Sequence, residues 1–143
     1  MACLGACSPE QATYGDFRSL NNDWDRNTSL VFHPTMPDSA ATYTITLAIR
    51  NTNLYPYATL PLAVDLAGTD SVGVKRFRLE IPITDASGEW LGAGFGTFFQ
   101  HKQVVTRSAT AAQVAKVIVW QTVDSIDALP GIDAVGIIVS PNH

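Results

Sequence analysis

The sequence is short of cysteine, of charge and of long apolar runs, and each shortage closes a class of explanation. Its 143 residues hold two cysteines, Cys3 and Cys7, both in the opening heptad, so no disulfide can join distant parts of a core. A bridge between residues so close would close too small a loop to restrain the unfolded chain, and a zinc site would want more ligands nearby. Charged residues make up only 15% of the chain, where about 25% is usual for a soluble domain. Nine Lys plus Arg stand against 13 Asp plus Glu, for a net charge of −4, and no basic run occurs. That leaves no electrostatic footprint for a nucleic-acid backbone. No window approaches the ~18 to 20 apolar residues of a membrane-spanning helix. Yet 46% of the residues are hydrophobic, far too many for a disordered tail. A single domain of this length buries about 70% of the surface its unfolded chain exposes, enough to hold a core without a metal or disulfide staple.

What is present is alternation with a period of two. In Thr42-Tyr43-Thr44-Ile45-Thr46-Leu47-Ala48-Ile49-Arg50 every odd position is apolar or aromatic, the pattern of a half-buried strand. It recurs in Leu60, Leu62, Val64 and Leu66, with Pro61 near the strand start, and in Phe77, Leu79, Ile81 and Ile83, with Arg76, Arg78 and Glu80 pointing outward. Residues 114–120 and 134–139 are apolar at nearly every position, as in strands covered on both faces. A shorter strand is expected over residues 30–33. In residues 94–99 glycines leave gaps between aromatics, the mark of a bulge or a close backbone approach. Turn residues separate the strands at 51–53, 68–70, 85–88 and 129–131. Helix-like stretches are confined to residues 109–115 and 124–129. The reading is all-β: an antiparallel β-sandwich, jelly-roll or immunoglobulin-like, of about seven to eight strands over residues 24–143.

Motifs that carry chemistry are scarce. His33, His101 and His143 fit no metal-ligand spacing, and no Gly-x-Ser-x-Gly occurs. They read as ordinary strand-end or surface histidines, with no metal, no cofactor and no catalytic set. Residues 92–96 superficially resemble a phosphate loop, but no strand–turn–helix order surrounds them and no P-loop lysine follows. The glycines there suit aromatic rings, from Trp90, Phe98 or Phe99, lying across the backbone. Tyr55 and Tyr57 flank Pro56 just after the strongest strand. Such a turn offers a stacking platform for a sugar ring, a docking spot for a partner, or a plug for the end of the sandwich. With Trp90 and Trp24 they are the candidate partner- or glycan-binding surface.

Leu4-Gly5-Ala6-Cys7 looks like a lipobox, an aliphatic residue and two small ones before the cysteine that becomes the lipidated first residue. Neither a basic nor an apolar segment precedes it, so it reads either as the tail of a signal peptide or as an ordinary small-residue N-terminus.

Three segments carry a wider likeness: Ile49-Arg50-Asn51-Thr52-Asn53-Leu54-Tyr55-Pro56-Tyr57-Ala58-Thr59-Leu60, then Ser87-Gly88-Glu89-Trp90-Leu91-Gly92-Ala93-Gly94-Phe95-Gly96, then Leu129-Pro130-Gly131-Ile132-Asp133-Ala134-Val135-Gly136. In this order and spacing the chain resembles the GldH family of gliding-motility lipoproteins of Bacteroidetes. Around residues 112–124 it lacks a Gly-x-Tyr and a Met-Arg of the family pattern. The resemblance implies a non-enzymatic, lipid-anchored cell-envelope protein, required for gliding and linked to the type IX secretion machinery, with no catalytic residues to carry over and inner versus outer membrane left open. Residues 1–6 then become the signal-peptide remnant, Cys7 the lipidated residue and residues 7–23 a flexible leader. Two acyl chains or more at Cys7 would anchor it stably. Its partners would be other gliding and secretion envelope proteins. The alternative function is a carbohydrate-binding β-sandwich of the envelope. The tripeptides Asp38-Ser39-Ala40, Asp70-Ser71-Val72 and Asp124-Ser125-Ile126 also resemble the short O-glycosylation acceptor of such proteins.

Overall fold

A computed structural model describes residues 12–69 and 73–142 of the chain. Among these residues there is no helix, and eleven strands run in chain order: β1 Tyr14–Ser19, β2 Asp23–Asp25, β3 Leu30–Phe32, β4 Tyr43–Thr52, β5 Thr59–Ala67, β6 Val74–Pro82, β7 Ala93–Phe95, β8 Phe98–Ala109, β9 Lys116–Gln121, β10 Ala128–Pro130 and β11 Ile132–Pro141. Seven have six residues or more, in line with the expected count; the rest are three-residue pieces.

They form a five-stranded sheet in the order β1-β11-β4-β8-β7, a four-stranded sheet in the order β3-β9-β5-β6, and the small pair β10-β2, all antiparallel. With the accessory strands β2, β7 and β10 set aside, the first strand pairs with the last (β1 with β11) and the second with the seventh (β3 with β9). The third then pairs with the sixth (β4 with β8), and the fourth with the fifth (β5 with β6). One long hairpin is thus rolled over itself into two sheets, which is the jelly-roll arrangement. An immunoglobulin order would put the first and last strands in different sheets, so the pairing of β1 with β11 decides between the two architectures.

The core is what the alternation dictates. Tyr43, Ile45, Leu47 and Ile49 on β4 and Leu60, Leu62, Val64 and Leu66 on β5 are buried in one cluster with Val135, Ile137 and Val139 of β11. On β6, Ile81 is buried and Phe77 and Leu79 are partly so, while Arg76, Arg78 and Glu80 are exposed. β9 buries Val117 and Val119, but Ile118 and Trp120 stay half-exposed on the outer face, so that strand is covered on one side only. Arg76 lies over the Trp120 ring, 4.8 Å from its centroid, and makes a two-pronged pair with the buried Asp65 at 2.8 and 3.0 Å.

Two stretches depart from expectation. Residues 14–19, part of the expected leader, pair in register with β11, Tyr14 opposite Val139 and Ser19 opposite Ala134. Their only large apolar outward contact is Phe17, whose ring lies on Gly136 where a Cβ would come within 2.5 Å of it. The expected helical turns shrink: residues 110–114 make one turn on the Thr110 carbonyl, and residues 128–130 are strand β10, because Leu129 is drawn opposite Trp24 into the interior.

The sandwich has two ends. At the near end lie the start of β1, the end of β11, the start of β4 and the end of β8. At the far end lie Ser19, Thr52, Phe98 and the β2–β10 pair.

Candidate functional site

The inward row Tyr43, Ile45, Leu47, Ile49 on β4 ends at the far end on a carboxamide, Asn51, which is 0% exposed. A buried amide must find partners, and this one has both. Its Nδ2 donates to the Thr52 carbonyl at 3.0 Å, and its Oδ1 lies 2.8 Å from His101 Nε2. With Oδ1 accepting, the His101 proton sits on Nε2. Burial lowers the His101 pKa, so the ring is held neutral. Its other edge faces Gly92, where a Cβ would stand 2.9 Å from Nδ1 and 2.6 Å from the Gln100 carbonyl. His101 is therefore an interior residue rather than a surface one, because Asn51 gives its ring a partner that the linear sequence does not disclose.

The next residue continues the web. Thr52 Oγ1 donates to Asn22 Oδ1 at 3.0 Å and accepts from the Leu54 N–H at 3.3 Å. The Thr52 N–H donates to the Gly131 carbonyl at 2.8 Å, and the Gly131 N–H to the Asn22 carbonyl at 3.2 Å. Gly131 has φ +89°, and a Cβ there would lie 2.3 Å from the Tyr55 nitrogen. Only glycine satisfies both conditions. Tyr55 is buried and its hydroxyl donates to the Thr59 carbonyl at 2.7 Å. Burial, assisted by Tyr57, pushes its pKa far above the usual tyrosine value. Tyr57 meets the Tyr55 ring edge-on at 5.7 Å.

The segment of residues 87–96 docks through the backbone. Ile83 and Thr84 donate to the Ala58 carbonyl at 2.8 and 3.1 Å, and Leu91 donates back to Ile83 at 2.8 Å. In the turn between, Asp85 Oδ1 accepts from the Ser87 hydroxyl and the Ser87 and Glu89 N–H groups, holding its carboxyl below the usual carboxylate range. Trp90 stacks on Phe99 at 5.1 Å and 16°, and Phe99 lies 3.3 Å from where a Gly94 Cβ would stand. Gly92 and Gly94 thus seat a histidine and an aromatic ring, while Gly96 has open space around it. Beside them a groove of about 270 Å³ opens between Pro82, Leu91, Gly92, His101 and Lys102. On the outer face of the five-stranded sheet, the Arg50 guanidinium lies 5.8 Å from the Phe98 ring centroid, 6.0 Å from that of Phe17 and 3.8 Å from the Asp133 carboxylate.

The four aromatic positions singled out from sequence divide evenly. Trp24 is 0% exposed, its Nε1 donating to the Thr28 carbonyl at 3.0 Å, and Tyr55 is 3% exposed, so neither offers a ring face to a ligand. Tyr57, 40% exposed, does, next to Leu54 at 61%, and Trp90 is half-exposed against Phe99. Sequence reasoning missed Asn51 and His101, whose only signal was a polar residue in phase with an apolar row. Ser39 and Ser125 of the glycosylation-like tripeptides are exposed. Cys7 and its lipobox-like heptad, residues 70–72 and His143 lie outside the described residues.

The three segments that carry the resemblance therefore meet at one end of the sandwich. A model of the GldH lipoprotein family matches residues 12–139. The chain belongs to that family. Among its relatives are a gliding motility lipoprotein GldH homolog of Christiangramia forsetii, 28% identical over 135 residues, covering 89% of this chain and 82% of the relative. Another is the gliding motility lipoprotein GldH of Flavobacterium johnsoniae, 24% identical over 131 residues, with 92% and 81% covered. Among solved structures, the VP2 subviral particle of infectious bursal disease virus aligns with 93% of this chain and 34% of its own, at 13% identity and a TM-score of 0.33.

Proposed function

We propose that the chain is a non-enzymatic gliding-motility lipoprotein, held to an envelope membrane through Cys7, whose far end docks other components of the gliding and type IX secretion apparatus. One observation carries this reading. The segments that mark the family converge at the far end, while β1 enters the sandwich at the near end. An anchor on the N-terminal side would then leave the far end pointing away from the lipid. Leu54 and Tyr57 project there from a loop whose backbone is pinned by Thr52, Gly131 and Ile83, so the docking residues are held without loss of order on binding.

A catalytic role has less support. The buried histidine meets a carboxamide, which lacks the negative charge with which a carboxylate stabilises an imidazolium. A sugar-binding face has less as well, since two of its four rings are used in the interior.

The test is made in the native host with the full-length gene. Cys7→Ala should move the protein from the membrane to the soluble fraction and stop gliding, and tagged wild-type protein should co-purify with envelope motility components. Unchanged fractionation would remove the anchor from the reading; a clean, partner-free purification would remove the docking role.

A further inference from the structure

We propose that a cavity at the near end binds a single unbranched acyl chain ending in an anionic head group, with Lys75 holding the head. This rests on observations separate from the docking reading.

The cavity exists because the sandwich is open along one side. β6 is the edge of the four-stranded sheet, and on the other sheet β7 covers β8 only over Phe98–Gln100. Past that point the edges of β6 and β8 face each other around a space of about 340 Å³. Small-molecule sites occupy about 300 to 1,000 Å³. Its floor is apolar, formed by Leu66, Phe77 and Val114. Along β6 the residues in phase with Phe77, Leu79 and Ile81 face inward, and Lys75 shares that phase. Lys75 is itself exposed, so its ammonium stands at the open lip of the cavity, over the apolar floor, where Arg76 and Arg78 do not reach. Lys75 Nζ lies 5.4 Å from the Phe77 ring centroid, and among the described residues it forms no ion pair with a carboxylate. Thr106 and Ser108 line the β8 wall of the same space, their hydroxyl oxygens 3.4 Å apart.

An apolar floor under one cation and two hydroxyls matches an amphiphile. A neutral apolar ligand would leave the ammonium unused, and a small hydrophilic anion would leave the floor wet. In the proposed complex the chain displaces water from Leu66, Phe77 and Val114 while the head stays at the lip with Lys75.

The experiment is calorimetric titration of the full chain with monomeric decanoate, octanoate and decanol. Decanoate should bind saturably, one per chain, and octanoate roughly tenfold or more weaker, since each buried methylene is worth about fourfold. Lys75→Met should weaken decanoate at least tenfold and leave decanol unchanged. Arg78→Met, the same loss of charge on the outward face, should change neither. Ser108→Trp fills the space from the other wall and should abolish binding with the melting temperature retained. Absence of saturable binding, or equal effects of Lys75→Met and Arg78→Met, would overturn the proposal. Dihexanoyl phosphatidylglycerol, titrated in parallel, identifies the source: binding tighter than decanoate assigns a membrane lipid, and weaker binding a free fatty acid, the site standing in both cases.

Discussion

The two ends of this sandwich are built by opposite rules. Every residue with positive φ among the described ones lies at the far end: Asn21, Asn22 and Ser125, with Gly88, Gly92, Gly96 and Gly131. There the backbone is bent into conformations that cost free energy unless the surroundings fix them, and side chains and carbonyls fill the space where a Cβ would go at Gly92 and Gly131. At the near end Gly15 and Gly73 have nothing within 4 Å of a Cβ, and the sheets part around a cavity. A rigid end held by a buried polar web suits recognition of another protein; a loosely closed end suits admission of a small ligand. The long strands hold these two ends apart, since each spans from one to the other.

The sharpest test of that contrast is one methyl group at each end. Gly131→Ala must keep φ near +89° and push a Cβ into the Tyr55 backbone, which cannot retreat without breaking the Thr52 and Asn22 hydrogen bonds. Backbone strain and overpacking together should cost about 3 to 5 kcal/mol. Gly15→Ala, in an ordinary strand with open space, should change stability by no more than about 0.5 kcal/mol. Urea unfolding of both variants reads the difference; equal values would erase the distinction between the ends.

The polar web gives the second, smaller effect. His101→Leu leaves Asn51 Oδ1 buried without its donor, at about 1 to 3 kcal/mol. The same histidine makes stability depend on pH. Burial sets its folded pKa below the ordinary 6.5, so as pH falls the unfolded chain takes up the proton first and folding is progressively disfavoured. That contribution is complete above pH 6.5 and is lost as pH drops from there toward the folded value. Asp85, whose carboxyl is also held low, adds its own loss only below its ordinary 3.8, so the interval just under pH 6.5 reports on His101. The wild type should lose stability across it and His101→Leu should not; parallel slopes would mean that the ring takes up its proton equally in the folded and the unfolded chain.

The sequence discloses the near end and the sheets better than the far end. Tyr43 to Ile49 and Leu60 to Leu66 repeat every second residue, and period-two burial is a local property that a strand carries wherever it is placed. The far end is assembled from residues distant along the chain: His101 reaches Asn51 across 50 positions, and Arg26 reaches the Val123 carbonyl across 97. No local pattern encodes such partners, which is why His101 reads as a surface residue and Trp24 as part of a binding face until the strands are rolled up. The glycines were legible as close approaches, with Gly94 beneath Phe99 as expected, but what approaches Gly131 is a turn more than 70 positions earlier. Lys75 was hidden for another reason: in Val74-Lys75-Arg76 a run of two cations looks like a solvated strand end, and only the register with β5 shows which of them stands on the cavity side.

The smallest expected change in stability carries the largest functional contrast. Leu54 at the far end and Val74 at the near end are equally exposed, 61% each. Neither supports the core, so Leu54→Ser and Val74→Ser should each shift unfolding free energy by less than about 0.5 kcal/mol. Exposed apolar side chains on a preorganised loop are nevertheless the kind that anchor an interface, where one buried leucine is worth about 1.5 to 3 kcal/mol. Leu54→Ser should therefore reduce co-purification with envelope partners by roughly tenfold or more and slow gliding, and Tyr57→Ser should do the same, while Val74→Ser leaves both intact. If Val74→Ser is the damaging change, docking belongs to the near end and the acyl-chain cavity lies within the interface rather than apart from it.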